Sequence, residues 1–586
     1  MTVFSGARAR LASLVCAAAL LAGCVTFNSV SPNPAVPGAT ITLTGSGFGA
    51  TKDANDAVLF DGAELTITTW SDTTIKAVLP SVNPSGTYPV AVKVDGALSS
   101  SLPLTIDAQL PISNVTITEG PNSILAAVVE FDTLASTTPT LQVSSSSGAW
   151  WVPASGILST HPGTHHKMMV LGLKAASTYN FTIQINDNGT PRWQSFLWNT
   201  RPLQPGIQAL PVTITTAQPG LMQPGYTLLC GNFGGTPTGG LYVVDAEGNL
   251  VWYLQEAAGV QISAFMRRAN GNIIYLADRI KEVDPLGNVV RMWTSNSLGT
   301  GESHHEIIEL PNGNFVTLGI DMREISGYPP GNVSYKVVGD EIVEFTPAGQ
   351  VVSRINMFDV LDPYRIPYWP SFDFGQWDTV YGFHTQDWSH LNAVVYDPSD
   401  GNFIVSSRNQ DVVFKIDRQT HELMWVIGED QPDTTGDDDW PFLTLEGGGL
   451  LPSHQHAPQL LPDGRIVLYD NDTSRPRLPH ESRPVIYSID TNAMTVHEDW
   501  AWVDPDWDPP IFSYFSGDAN WLPNGNVLVD DAGAWDAIPL GLRWIRVAEV
   551  RPSDNLKVWE MTIRQDFPTM PWTGYRAERI ASLYGP

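Results

Sequence analysis

A repeat constrains this chain more than any other feature. From about residue 207 one unit recurs: a short strand, a turn carrying Asp or Gly, and a second strand often ending in Trp. Its copies are Tyr242–Trp252, Glu282–Trp293, Glu344–Val352, Phe414–Trp425, Tyr487–Val496 and Glu549–Trp559. A hairpin with an Asn-Gly or Asp-Gly turn alternates with it: Ala269–Leu276, Pro311–Leu318, Pro462–Tyr469 and Pro523–Asp530, with Asp397–Val405 a lengthened copy. Those dipeptides suit hairpin turns that need positive φ. Such self-similarity marks a stacked architecture, because one unit alone cannot bury its apolar face. Each repeat supplies about four strands, which is one propeller blade. Six outer copies predict a six-bladed β-propeller over residues 206–586. The stretch around Tyr575–Ile580 lacks a Gly turn and is expected to serve ring closure.

Composition agrees with an all-β chain. The 586 residues include 50 Gly, 45 Pro and 20 Trp, and only 16% are charged. Coiled coils and helical bundles draw instead on Ala, Glu, Lys, Leu and Arg. An apolar content of 42% supplies too much core for a disordered chain. Asp and Glu number 61 against 32 Lys and Arg, a net charge of −29. Phosphate backbones are held by clustered Lys and Arg, so no nucleic-acid partner is expected.

At the N-terminus, Arg8 and Arg10 precede the apolar run Leu11–Ala22, then Gly23 and Cys24. The run is too short to span a bilayer and suits the middle of a secretory leader. Leu21-Ala22-Gly23-Cys24 resembles a bacterial lipoprotein box. That resemblance implies removal of residues 1–23 and lipidation of Cys24, which anchors the chain to a membrane without crossing it. The expected location is the bacterial cell envelope, at the outer membrane, facing the periplasm or the surface. Cys16 leaves with the leader and Cys24 is acylated. Cys230 then stays free, and no intramolecular disulfide is expected.

Two small modules are expected before the repeats. Residues 24–107 show short alternating strands between Gly, Asn and Pro turns, the pattern of a β-sandwich. They resemble the IPT/TIG family of immunoglobulin-like domains. Residues 108–205 predict a second sandwich, in which Leu171–Ile185 resembles the late strands of fibronectin type III domains. His161, His165 and His166 are assigned to a polar loop before a strand there.

Five of the 12 histidines precede inner hairpin turns: His304, His305, His390, His454 and His456. Counting back six residues from Pro311, Tyr396 and Pro462 gives His305, His390 and His456. Three consecutive blades thus carry His at one register, where inner strands start near one mouth of the central channel. Strand alternation sends His304 and His305 to opposite faces, so only one is expected to face the channel. His454 shares a face with His456 and is expected behind it or on the rim. His421, His480 and His497 fall on outer strands or loops. Arg408 follows His390 by 18 residues on the returning strand. A buried Arg is costly unless it meets an anion. Three histidines and an arginine, with no obvious buried carboxylate, describe an anion site.

The blocks His304–Asn314, Asp387–Val394, Ser406–Asp417 and Gln455–Gly464 resemble those of bacterial aryl-sulfate sulfotransferases. The resemblance covers residues 207–586. It implies a six-bladed propeller with an N-terminal sandwich, no metal and no other cofactor. It implies transfer of a sulfuryl group from a phenolic sulfate donor to a phenol acceptor, without a nucleotide sulfate. His456 would be the nucleophile that becomes sulfated, and His305, His390 and Arg408 would bind the sulfuryl oxygens. Either His305 or His390 would move the phenolic proton, with His304 and His454 as secondary candidates. Tyr368, Trp369, Trp377 and Trp388 lie in a long insertion, where they either stack on phenol rings or pack the insertion itself. The second sandwich and the lack of a possible disulfide depart from the family's simplest pattern. Three further readings use the same residues, the first a hydrolase in which water takes the group from His456. The second is a zinc hydrolase on three converging histidines, against which the charge of Arg408 argues. The third is a surface-binding scaffold without catalysis.

Overall fold

The computed structural model describes residues 25–35, 37–81, 84–106, 112–159, 162–187, 190–204, 207, 212–233, 238–328, 331, 333–367, 375–430, 439–476, 479–535, 543–564 and 573–585. The leader, Cys24, His161, Tyr368 and Trp369 lie outside these residues. The described residues form ten sheets, with helix confined to short turns. No described helix is long and apolar enough to cross a membrane.

The first module has two facing sheets. One carries Thr26–Ser31, Thr40–Ser46, Thr66–Trp70 and Thr74–Val78; the other is built around Gly86–Val94 and Ala57–Phe60. Alternation places Ile41, Leu43, Val58, Ile75 and Val90 in a dry core between them. The second module pairs a three-stranded sheet (Ile112–Glu119, Ala126–Thr137, Gly163–Leu171) with a four-stranded one (Gly148–Trp151, Thr140–Ser145, Thr178–Asp187, Thr190–Asn199). Its core is continuous with that of the repeat region: Val128 and Met169 belong to one buried cluster with Leu254, Leu286 and Tyr584. The Tyr584 hydroxyl accepts from the Leu171 N–H at 2.8 Å. His166 is buried against Thr133 (2.9 Å), and His165 pairs with Asp132 (2.8 Å).

The repeats make six sheets, here I to VI, and each outer copy falls in a different one. Their innermost strands are Thr573–Ile580, Ala264–Arg267, Ser303–Glu309, Leu391–Tyr396, His456–Leu460 and Asp518–Trp521. These six neighbour one another in cyclic order, and the last touches the first, so the series closes. Closure uses both ends of the region. Thr573–Ile580 is the inner strand of sheet I beside Tyr226–Phe233, while Val212–Ala217 is the outermost strand of sheet VI beside Leu556–Ile563. Tyr575–Ile580 therefore forms no hairpin of its own, which is why it needs no Gly turn. The inner hairpins turn on residues such as Gly313 (φ 82°) and Gly464 (φ 89°), where a side chain would be strained. The repeated Trp ties one sheet to the next. Trp252 of sheet I donates to the Pro285 carbonyl of sheet II at 2.8 Å, and Trp559 of sheet VI donates to Ala246 of sheet I at 3.0 Å.

Candidate active site

His305, His390 and His456 open the inner strands of sheets III, IV and V, and the fold brings their rings together. The His305 ring centre is 5.0 Å from that of His390 and 6.5 Å from that of His456. Left-handed backbone aims two of them: φ is 56° at His305 and 43° at His390. A bulge lies next to each, where register slips between His304 and Ile307 and between Leu391 and Ala393. Such a bulge re-aims a side chain, at the cost of a locally broken ladder.

That bulge overturns one expectation. His304 and His305 do not part to opposite faces: their Nδ1 atoms are 2.8 Å apart. Strict alternation holds only for unbroken strands. On its other side, His304 Nε2 lies 2.9 Å from Asp340 Oδ1.

A second expectation, the lack of a buried carboxylate, also fails. Asp387 Oδ2 holds His390 Nδ1 at 2.5 Å. Asp411 Oδ1 holds His454 Nδ1 at 2.6 Å and also accepts the His454 backbone N–H. Asp340 and Asp411 come from distant segments and Asp387 from three residues before His390, and no local pattern marks any of them as a partner. Burial acts to raise Asp387 and Asp411, but the imidazoles beside them hold both carboxyls below the usual range. His454 is pushed down, burial outweighing its carboxylate partner. It is fully buried ahead of the strand His456–Leu460, where its left-handed backbone (φ 54°) takes it out of the strand period.

His456 is held differently. Its Nδ1 is 2.7 Å from Asn471 Oδ1. The Asn471 amide donates to the carbonyls of Ser513 (2.7 Å) and Ser516 (2.8 Å), which fixes its oxygen toward the imidazole. Nδ1 must then carry the proton, and Nε2 keeps its lone pair. The Ser516 N–H approaches Nε2 at 3.3 Å, as an unprotonated nitrogen allows. Burial, then the charge of Arg408, pushes His456 well below its ordinary value. Burial and the neighbouring histidines do the same to His305. Both imidazoles are neutral near pH 7.

Arg408 follows the strand Phe403–Ser407, and its N–H binds the His390 carbonyl at 3.0 Å. The side chain is buried, donates to Asn409 Oδ1 at 2.9 Å and lies 5.8 Å from the Tyr514 ring centre. Its Nε has no hydrogen-bond partner, and among the described residues it makes no ion pair. A buried guanidinium in that state offers an anion a fork of donors.

Aromatic residues complete the site, Tyr575 without a signal in the sequence and Trp377 from the insertion. The Tyr575 ring lies edge-on between His305 (5.6 Å) and His456 (6.0 Å), and its hydroxyl donates to the Asn392 carbonyl at 2.8 Å. Trp377 is buried 5.0 Å from His304, and its indole donates to Asp387 Oδ1 at 2.8 Å. Trp388 is fully buried, stacked on Phe358 at 5.2 Å, with its indole on the Arg365 carbonyl. It packs the insertion and is closed to a substrate ring. His421, His480 and His497 stand apart from the cluster; His497 pairs with Asp499 at 3.0 Å. No three of the clustered histidines gather ring nitrogens at metal-coordinating distance among the described residues. Cys230 is free and buried, its thiol pushed up to about 12 by burial.

Residues 215–576, more than half of the chain, match the family described as Arylsulfotransferase (ASST). The chain belongs to the arylsulfotransferase family. Residues 26–106 match the IPT/TIG domain, which makes the first module immunoglobulin-like. This arylsulfotransferase-family chain is similar over short stretches to cyclomaltodextrin glucanotransferases. The one from Bacillus sp. (strain 17-1) is 33% identical over 115 residues, 18% of this chain and 16% of that protein. The one from Thermoanaerobacterium thermosulfurigenes is 39% identical over 72 residues, 12% of this chain and 10% of that protein. The chain thus spans less than a fifth of either. A solved protein of unknown function from Bacteroides thetaiotaomicron aligns over 92% of this chain and 98% of its own, at 11% identity and a TM-score of 0.27.

Proposed function

We propose that this chain is an aryl-sulfate sulfotransferase working through a sulfohistidine, and that the six closed sheets are a six-bladed propeller carrying the site at one mouth. One observation carries the reading: His456 presents an unprotonated Nε2, fixed by Asn471, beside a buried Arg408 without an ion pair. A neutral imidazole is a competent nucleophile at neutral pH.

His456 Nε2 attacks sulfur of the phenolic sulfate. The N–S bond forms as the S–O bond to the phenol breaks, and the phenolic oxygen takes a proton. Sulfuryl transfer parallels phosphoryl transfer, with charge spread over three equatorial oxygens in a loose transition state. Arg408 and His305 face those oxygens and stabilise them without reorganisation. His390, whose Nδ1 is held by Asp387, gives its proton to the departing oxygen and takes one back from the acceptor phenol. That phenol then attacks sulfur, the N–S bond breaks, and His456 is regenerated. The cycle needs no net proton and no cofactor.

Residues 24–107, 108–205 and 206–586 are assigned to the two sandwiches and the catalytic unit. Cys24 is assigned as the lipid anchor to the cell envelope, a role that labelling with a radioactive fatty acid and a Cys24→Ser variant tests. The decisive experiment on function incubates the protein with 4-nitrophenyl sulfate, with and without phenol. Phenol-dependent nitrophenol release, with one sulfuryl group trapped on the peptide containing His456, is the expected result. Release indifferent to phenol indicates a hydrolase, and activity lost to a chelator indicates a metalloenzyme. Neither release nor labelling leaves the scaffold reading.

A further inference from the structure

The second sandwich buries its two inner sheet faces and one end of a third. Its two inner faces enclose Leu141, Val143, Phe181 and Ile183 with the residues opposite, and one end of the outer face of the three-stranded sheet lies on the repeat region through Val128 and Met169. The outer face of the four-stranded sheet remains open, and it is unusual for this chain.

Strand register orders that face in three rows. One row runs Trp151, Gln142, Thr182, Ser195. The next, one step along the strands, runs Thr140, Gln184, Trp193. On the other side lie Ala149, Ser144, Asn180 and Leu197. No described side chain in these rows is charged, although the chain carries 93 charged residues, 61 acidic and 32 basic. Trp151 is 50% exposed, Trp193 64% and Leu197 76%. The two tryptophans stand on opposite edge strands, three strand spacings apart, or about 14 Å. Between them lie amides and hydroxyls. Thr182 and Ser195 share a hydrogen bond at 2.9 Å, while the amides of Gln142 and Gln184 have no partner among the described residues.

We propose that this face binds an uncharged polysaccharide. Two exposed indoles on the edge strands of the sheet offer platforms to pyranose rings, whose faces are apolar C–H surfaces. The unspent amides between them meet sugar hydroxyls, which donate and accept alike. The lack of charge is the selective element. A chain of net charge −29 that keeps one whole face neutral neither attracts a cationic partner there nor neutralises an anionic one. A protein partner fits less well, because the apolar side chains are separate and the amides between them would be buried without assured partners. The inference is independent of the sulfuryl-transfer reading.

Native gel electrophoresis of the whole protein through laminarin, mixed-linkage β-glucan, xylan or galactomannan tests it, with alginate as the charged control. At least one neutral polymer should retard the protein while alginate does not. The double variant Trp151→Ala/Trp193→Ala should lose that retardation at least tenfold, with unchanged thermal melting and 4-nitrophenyl sulfate turnover. Absence of retardation by all four polymers, stronger retardation by alginate, or equal retardation of the variant overturns the proposal. Sedimentation of both proteins adds one more arm: a dimer that the double variant abolishes assigns the face to a second copy and likewise overturns it.

Discussion

The two ends of the inner strands carry different titratable groups, and at both burial disfavours the charged form. At the starts of the strands lie the histidines, with His305 and His456 pushed well below their ordinary values. Toward the turns lies a cavity of about 610 Å³ lined by Arg267, Glu306, Asp518, Arg576 and Glu578. There Asp518 is pushed up to about 6 and Glu578 up to about 7, burial being the largest cause in both. A low dielectric disfavours whichever form is charged, so bases fall and acids rise. Arg408 and Arg576 differ in how they are matched. Arg576 is doubly bonded to Glu306, at 2.8 and 2.5 Å. Both keep an unpartnered Nε, but Arg408 makes no ion pair among the described residues. The charge of Arg576 is spent inside the protein; that of Arg408 is left for an anion.

Substitution of the nucleophile has the largest expected effect. His456→Ala should lower phenol-dependent turnover by about 10³-fold or more and abolish covalent sulfation. The two arginines come next, and they test the comparison directly. Arg408→Lys should cost about 10²–10³-fold in kcat/KM for the aryl sulfate, with melting nearly unchanged. Arg576→Met should instead leave Glu306 buried and unpaired, a loss of about 3–5 kcal/mol in denaturant unfolding. If the two variants behave alike, the distinction is wrong.

Asp387→Asn should lower turnover by roughly 10–100-fold, because His390 loses the acceptor that orients it. A donor with a good leaving group, such as 4-nitrophenyl sulfate, should suffer less than an unactivated phenyl sulfate. Asn471→Asp should act through pH. His456 is neutral until the pH falls well below 6.5, and a carboxylate at 471 favours the imidazolium, so the acid limb of the rate profile should move up by about one unit or more.

The smallest effect belongs to the turn end. Glu578 is raised from 4.5 to about 7, so between those values the folded state binds more protons than the unfolded one. Stability from this group is then present below pH 4.5 and lost as pH rises to 7. Glu578→Gln should therefore stabilise at pH 8, by about 1–3 kcal/mol, and give no gain at pH 4.5. Thermal melting at the two pH values measures the difference.

Parts of the site were legible in the chain because repeats carry register. His305, His390 and His456 stand at one count before their turns, and equivalent positions in neighbouring sheets meet. Arg408 was legible by its place on the returning strand. Asp387 and Asp411 stand within the same blocks, three residues before His390 and three after Arg408, yet nothing in the spacing marks them as partners. Asn471 was hidden more deeply. It lies 15 residues after His456 and reaches it only because His456 pairs with Tyr469 across sheet V. Trp388 shows the reverse: an aromatic in an insertion reads the same whether it faces a ligand or a core.

By itself the sequence determined the all-β class, the repeat that builds six sheets, the turns that space them and the histidine register. Those are periodic features, and periodicity needs only local backbone preference and alternate burial. The tertiary structure alone decided which ring nitrogen of His456 carries the proton, which histidines have carboxylates behind them and which arginine is left unmatched. Those depend on bulges of one residue and on hydrogen bonds between segments far apart in the chain, where a shift of one register position sends a side chain elsewhere.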